Sequence, residues 1–91
     1  MKSILQKEKR CYLCGSYNWI EDHHIYGGAN RKTSEANGFK VYLCHWCHNE
    51  PPRGVHFDRS NADKLRAECQ AKFEETHTRD EFMRLIGKNY L

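Results

Sequence analysis

Two Cys-x-x-Cys pairs, Cys11/Cys14 and Cys44/Cys47, stand 29 residues apart in a chain of 91. Each pair sets two thiols on one tight turn, and Gly15 relaxes the first of these turns. Four thiolates from two such turns complete a tetrahedral zinc shell with no position left open, the pattern of a structural site. The pairing ties the start of the chain to its middle, so whatever lies between must double back. A domain this short buries only about 60–65% of the surface that its unfolded chain exposes. With 38% hydrophobic and 30% charged residues and a mean hydropathy of −0.94, the core is thin and a metal staple takes over part of its work. The odd fifth cysteine, Cys69, speaks against a disulfide framework and reads as a core residue. No apolar run approaches the roughly 18 residues of a membrane helix. The opening MKSILQKEKR also lacks a stretch of signal-peptide length. These features predict no membrane association and a reducing, cytoplasmic setting.

The chain carries 15 Lys/Arg against 12 Asp/Glu, a net charge of +3. The whole excess lies in residues 1–56, with eight basic against five acidic side chains, while residues 57–91 balance at seven each. The positive charge thus sits with the Cys and His residues and favours a polyanionic partner there.

Asn18–Tyr26 is rich in aromatic and branched residues and reads as a strand that Gly27-Gly28 ends. Ala29–Asn37 reads as a polar loop. Phe39, Val41 and Leu43 alternate on one face of a second strand that runs into Cys44. Pro51-Pro52-Arg53-Gly54 interrupts regular structure, and helices follow. Ser60-x-x-Asp63 resembles a capping box ahead of an apolar stripe of Ala62, Leu65, Cys69 and Phe73. Thr78-x-x-Glu81 opens a second helix with Phe82, Leu85 and Ile86 on its apolar face, and Gly87 stops it. Tyr90-Leu91 reads as a tail folding back onto the core. Trp19 and Trp46 could stack on bases but read first as core aromatics, His45 as solvent-facing and His77 as a helix-end residue. The result is one domain over residues 1–91, α+β in class, with a zinc-bearing part over about 8–60 and a helical part over about 60–91.

The two thiol turns also draw His23, His24 and His48 together, with His56 eight residues beyond His48. One histidine is ordinarily a satisfied core residue, but four gathered beside a structural metal point to chemistry. A neutral imidazole accepts a proton near physiological pH or gives its lone pair to a metal. Pro51-Pro52 and Gly54 forbid a continuous helix through His48 and His56, so a loop must deliver His56. Neighbours in a strand face opposite ways, so the strand must end or twist at His23-His24, and Asp22 is an alternative ligand to His23.

A CxxC pair, a strand ending in Asp22-His-His-Ile25, a Gly-containing loop, a second strand running into Leu43-Cys-x-x-Cys-His48 and a later His resemble the HNH (His-Me finger) endonucleases. More closely, His24-Ile-Tyr-Gly-Gly, Arg31-Lys32, Ser34-Glu35, Leu43-Cys44 and Gly54-Val-His-Phe57 resemble small phage proteins related to recombination-enhancement, RecA-dependent nucleases. The resemblance covers residues 11–60 and implies a ββα-metal core with a four-cysteine zinc attached. It implies DNA as substrate, a bacterial host cell and a RecA-type recombinase filament as partner. His24 matches the general base, and His23, His48 and His56 match the ligands of one catalytic divalent ion: magnesium, manganese, nickel or zinc. Asn37 is the nearest stand-in for the family's middle Asn. Arg31, Lys32, Lys40 and Arg53 surround the site in sequence and are the candidate phosphate contacts. The competing expectation is a zinc-stapled DNA- or protein-binding module that keeps the fold without the reaction. A third is a phage adaptor or inhibitor.

Overall fold

The computed structural model describes residues 2–91. Strand β1 (Ile20–His24) pairs antiparallel with β2 (Lys40–Cys44), in the register Ile20↔Cys44 through His24↔Lys40. The expected alternation in β2 holds, with Phe39, Val41 and Leu43 fully buried, as in a strand packed face-down on a core. The outer edge of β2 is covered as well. The amide of Tyr12 donates to Tyr42 O at 2.8 Å, Gln6 Oε1 accepts from the Tyr42 amide at 2.7 Å, and Ser3 Oγ donates to Lys40 O. A covered edge offers no unpaired ladder to another chain.

Between the strands, Gly28–Asn30 form a single 3-10 turn and Arg31–Asn37 form helix α1, which replaces the polar loop expected there. The segment has no apolar period because only Ser34 of α1 is buried. Its hydroxyl bridges the backbone of Tyr26, donating to the carbonyl and accepting from the amide. A short helix α2 (His45–His48) follows β2 directly, so both thiols of the second pair and two histidines are set by one strand-to-helix turn.

Helices α3 (Arg59–Phe73) and α4 (Arg79–Ile86) close the core. The stripe Ala62, Leu65, Cys69 and Phe73 is buried as expected, and the Thr78/Glu81 capping box and the left-handed cap at Gly87 are both formed. The cap of α3 differs from the expectation: it is Asp58, whose carboxylate accepts from the amides of Ser60 and Asn61, and Ser60 lies inside the helix. An aspartate two residues upstream competes successfully because the turn at Gly54 already directs its backbone to the helix start. Tyr26, Phe39, Phe73, Phe82 and Tyr90 form the aromatic centre, with neighbouring rings near 5.5 Å, and the C-terminal tail folds back through Tyr90 N to Gln70 Oε1.

Trp19 and Trp46 are the main departure from the expected core: both lie on the surface, 68% and 51% exposed. No helix among the described residues is long and apolar enough to cross a membrane.

Candidate functional site

The sulfurs of Cys11, Cys14, Cys44 and Cys47 all lie within 4.8 Å of one another, and Cys14 Sγ is 3.6 Å from Cys44 Sγ. Zinc bonded to thiolates at about 2.3 Å in a tetrahedron separates its sulfurs by about 3.8 Å. The spacing therefore fits a metal such as zinc and is far too long for a disulfide. Burial pushes the Cys11 thiol up, but amides of Cys44, Cys14 and Leu13 aimed at its sulfur outweigh this and bring it down to about 7. Such N–H···S contacts stabilise the thiolate that a metal needs.

A second donor cluster is anchored on the same helix, where His48 follows Cys47. Ligating nitrogens of His23, His48 and His56 come within 4.8 Å of one another, with His48 Nε2 and His56 Nε2 3.0 Å apart. Two cis ligands at about 2.1 Å from a metal are separated by about 3.0–3.4 Å, so the trio fits one divalent ion. His56 reaches the cluster by the loop that the prolines require. The Val55 amide donates to Cys47 O at 2.9 Å, which lays residues 55–56 beside α2. Gly54 makes this possible, because a Cβ there would sit 2.7 Å from Glu50 O and 2.8 Å from Glu50 N. Burial, with help from His48, His56, Arg66 and His24, holds the His23 imidazole down at about 3, so the ring is neutral and its lone pair is available.

Glu21 lies two residues before His23 and on the same face of β1. Its carboxylate accepts from His48 Nδ1 at 2.8 Å, from Asn49 Nδ2 at 2.8 Å and from His45 Nδ1 at 3.3 Å. The His48 bond, then those of His45 and Asn49, holds the Glu21 carboxyl below its ordinary range. A carboxylate on Nδ1 fixes the tautomer that leaves Nε2 free for a metal. His45 is accordingly not a free surface residue. It also donates to Glu50 Oε1 at 2.7 Å, and Glu50 and then Glu21 raise its pKa.

His24 points to the opposite face of β1 from His23, and its Nε2 lies 3.0 Å from Glu35 Oε1 on α1. The other carboxylate oxygen accepts from Lys40 Nζ, the cross-strand partner of His24. Lys40, and then His24, hold the Glu35 carboxyl at about 2. Lys40 is therefore removed from the set of surface cations: it is 4% exposed and spent on Glu35. Because β1 ends at His24, the two faces still meet in one pocket of about 300 Å³, lined by Asp22, His23, His24, Gly27, Gly28, Arg31, His48 and His56. Asp22 and Arg31 are exposed at its mouth, and Asp22 contributes no atom to the three-histidine cluster.

Of the other expected cations, Lys32 is exposed on α1, and Arg53 lies with Lys64 beside Cys14 and Cys47, away from the histidines. Asn37 bonds back to Thr33 O at 2.9 Å and takes no part in the pocket. Sequence reasoning missed Glu21, Glu35 as a partner of His24, and a basic flank beyond His56. That flank is a groove of about 480 Å³ lined by Arg59, Arg66, Lys88 and Asp63; the Asp63 carboxylate pairs with Arg66 at 2.8 Å and Arg59 at 3.4 Å, and Arg66 and Lys88 lie over the Tyr90 ring. These are ordinary surface residue types, and only the sheet register and the packing of α3 bring them to the site. Comparison of the chain with protein-family models, curated proteins and solved structures finds no match.

Proposed function

We propose that this protein is a metal-dependent DNA endonuclease of the HNH (His-Me finger) type, with little sequence specificity of its own. In this reading the four cysteines hold a structural zinc, and β1, β2 and the segment from His45 to His56 form the ββα-metal core. The observation that carries the proposal is the convergence of three imidazole donors with a fourth, carboxylate-held imidazole in one pocket. A zinc-stapled binding module has no use for such a set.

His23, His48 and His56 would hold the catalytic ion, which when bound supplies Lewis-acid stabilisation of charge on the phosphate and the leaving oxygen. An all-imidazole donor set favours nickel or zinc over manganese and magnesium. Glu21 keeps His48 in its ligating tautomer. His24 takes a proton from the attacking water through Nδ1, the ring nitrogen not engaged by Glu35. Glu35 orients the ring and stabilises the imidazolium that forms, in the manner of the acidic member of a catalytic triad. Lys40 in turn keeps Glu35 ionised. Arg31 at the pocket mouth, with Arg59, Arg66 and Lys88 beyond His56, provides a path for the phosphate backbone. A phage origin, a bacterial host and a recombinase filament as targeting partner complete the reading that the sequence resemblance supports.

Nicking of supercoiled plasmid with magnesium, manganese, nickel, zinc or EDTA tests the proposal. His24→Ala is expected to lose about 10²- to 10⁴-fold in rate, the usual worth of a general base, with folding and bound zinc unchanged. No cleavage with any ion, alone or with a RecA-type filament, and with DNA binding intact, returns the chain to the binding-module class.

A further inference from the structure

Trp19 and Trp46 are the only two tryptophans in the chain, and they stack on each other with ring centroids 4.9 Å apart and planes 8° from parallel. Both nevertheless lie on the surface. Trp19 adopts φ +50°, a left-handed backbone that bulky residues rarely take. That conformation is pinned from α2, because the His45 amide donates to Trp19 O at 2.9 Å, and Trp46 follows His45 on the same helix. The two rings are thus presented outward by a fixed backbone, and the core gains little from them.

The charge around them is uneven, with the cations on the N-terminal side. Tyr17, 62% exposed, stands two residues before Trp19 with its hydroxyl on Glu8 Oε1 at 2.8 Å, and Arg10 lies against both Tyr17 and Glu8. Lys7, Lys9 and Arg10 are all exposed, against the one carboxylate of Glu8. On the other flank, Glu21 and Glu50 are occupied by His45, His48 and Asn49.

We infer that Trp19 and Trp46 form a stacking platform for the unpaired bases of single-stranded DNA. Flat aromatic faces edged by cations suit bases and phosphates together, and stacking tolerates any base sequence. An apolar peptide would gain nothing from the basic edge. Bases inside a duplex are already stacked, so the platform discriminates in favour of single strands, gaps and flaps. Four residues of β1 lie between Trp19 and His24, a span of five steps or about 17 Å at about 3.3 Å per residue. A strand held at the platform and lying along β1 thus leads to the histidine pocket. This consequence rests on the nuclease reading, whereas the binding itself does not.

Because the platform holds both tryptophans, intrinsic fluorescence reports on it directly. Titration of the zinc-loaded protein with a 15-nucleotide oligo-dT, without added divalent ions, is expected to quench the emission saturably. A mixed-sequence duplex of equal length should quench it weakly. By polarisation of a labelled oligonucleotide, Trp19→Ala and Trp46→Ala should each weaken binding about 5- to 100-fold. Trp19→Phe and Trp46→Phe, which keep an aromatic face, should restore most of it and guard against a merely misfolded alanine variant. Equal affinity for duplex and single strand, or Trp→Ala variants that bind as the wild type does, overturns the inference. Absence of quenching by any oligonucleotide also overturns it and assigns the aromatic face to a protein partner. Tryptophan-dependent binding with no cleavage under any ion keeps the platform and removes the nuclease reading. Cleavage with Trp→Ala variants fully active and fully binding does the reverse.

Discussion

The two donor clusters are both anchored on α2, where Cys47 and His48 are neighbours, yet they differ in what they leave open. The cysteine cluster has four donors, two of them buried, and leaves a metal no vacant direction. The histidine cluster has three donors and opens into a pocket that also contains His24 and Arg31. Under the proposed function charge would separate them too: four thiolates would hold a divalent cation tightly in a closed shell, whereas three imidazoles would leave its positive charge for an incoming phosphate. In that reading donor count and what surrounds the open directions, rather than proximity, tell a staple from a reaction centre.

That contrast can be broken most sharply at the cysteines. Cys44→Ser removes a buried donor, and a structural zinc of this type is worth about 10 kcal/mol or more of folding free energy in small domains. The expected result is loss of bound zinc together with near-ultraviolet circular dichroism. A variant that folds without zinc would strip the cluster of its stapling role.

An intermediate effect is expected at Glu21. Glu21→Gln keeps the shape but weakens the grip on His48 Nδ1, and outer-shell partners of this kind typically contribute 10- to 100-fold, about 1.4–2.7 kcal/mol, to metal affinity. Calorimetric titration of manganese or nickel into the zinc-loaded variant should show that loss while the cysteine-bound zinc stays in place. Equal weakening at both sites would mean that the two clusters are not separable.

The smallest effect concerns pH. Folded His23 is held at about 3 by burial, while an unfolded histidine titrates near its ordinary 6.5. As pH falls below about 6.5 the unfolded chain takes up a proton that the folded chain refuses, so stability declines through this window, by at most about 1.4 kcal/mol per pH unit. Urea titrations of the zinc-saturated protein between pH 5 and 7, conditions set by this window, should show that slope. His23→Asn should flatten it, and an unchanged slope would place the acid sensitivity elsewhere.

The parts of the molecule legible in the sequence are those in which chemistry is local. The thiol spacing, the alternation through Phe39, Val41 and Leu43, the Thr78/Glu81 box and the stripe from Ala62 to Phe73 each follow from residues within a turn or a strand of one another. The nearness of His23 and His48 follows from the tie between the two thiol turns, whereas His56 depends on the loop that the prolines require. What could not be read depends on partners far apart in the chain. Lys40 looks like any surface lysine until the register places it opposite His24 and α1 brings Glu35 between them. Helix α1 itself is polar throughout except for Ser34, so no periodicity announces it. The tryptophans were expected inside because large aromatics bury well. It takes the left-handed backbone at residue 19 and the start of α2 to turn them outward.

The loop from Asn49 to Val55 sets an uneven tolerance to sequence drift. Arg53 is exposed, and many side chains fit at that position. At residue 54 even one added methyl meets backbone nitrogen and oxygen that no rotamer change can move aside. A single hydrogen in place of a carbon therefore decides whether His56 arrives beside His48, and a methyl group at residue 54 would undo what the histidines at both ends of the loop supply.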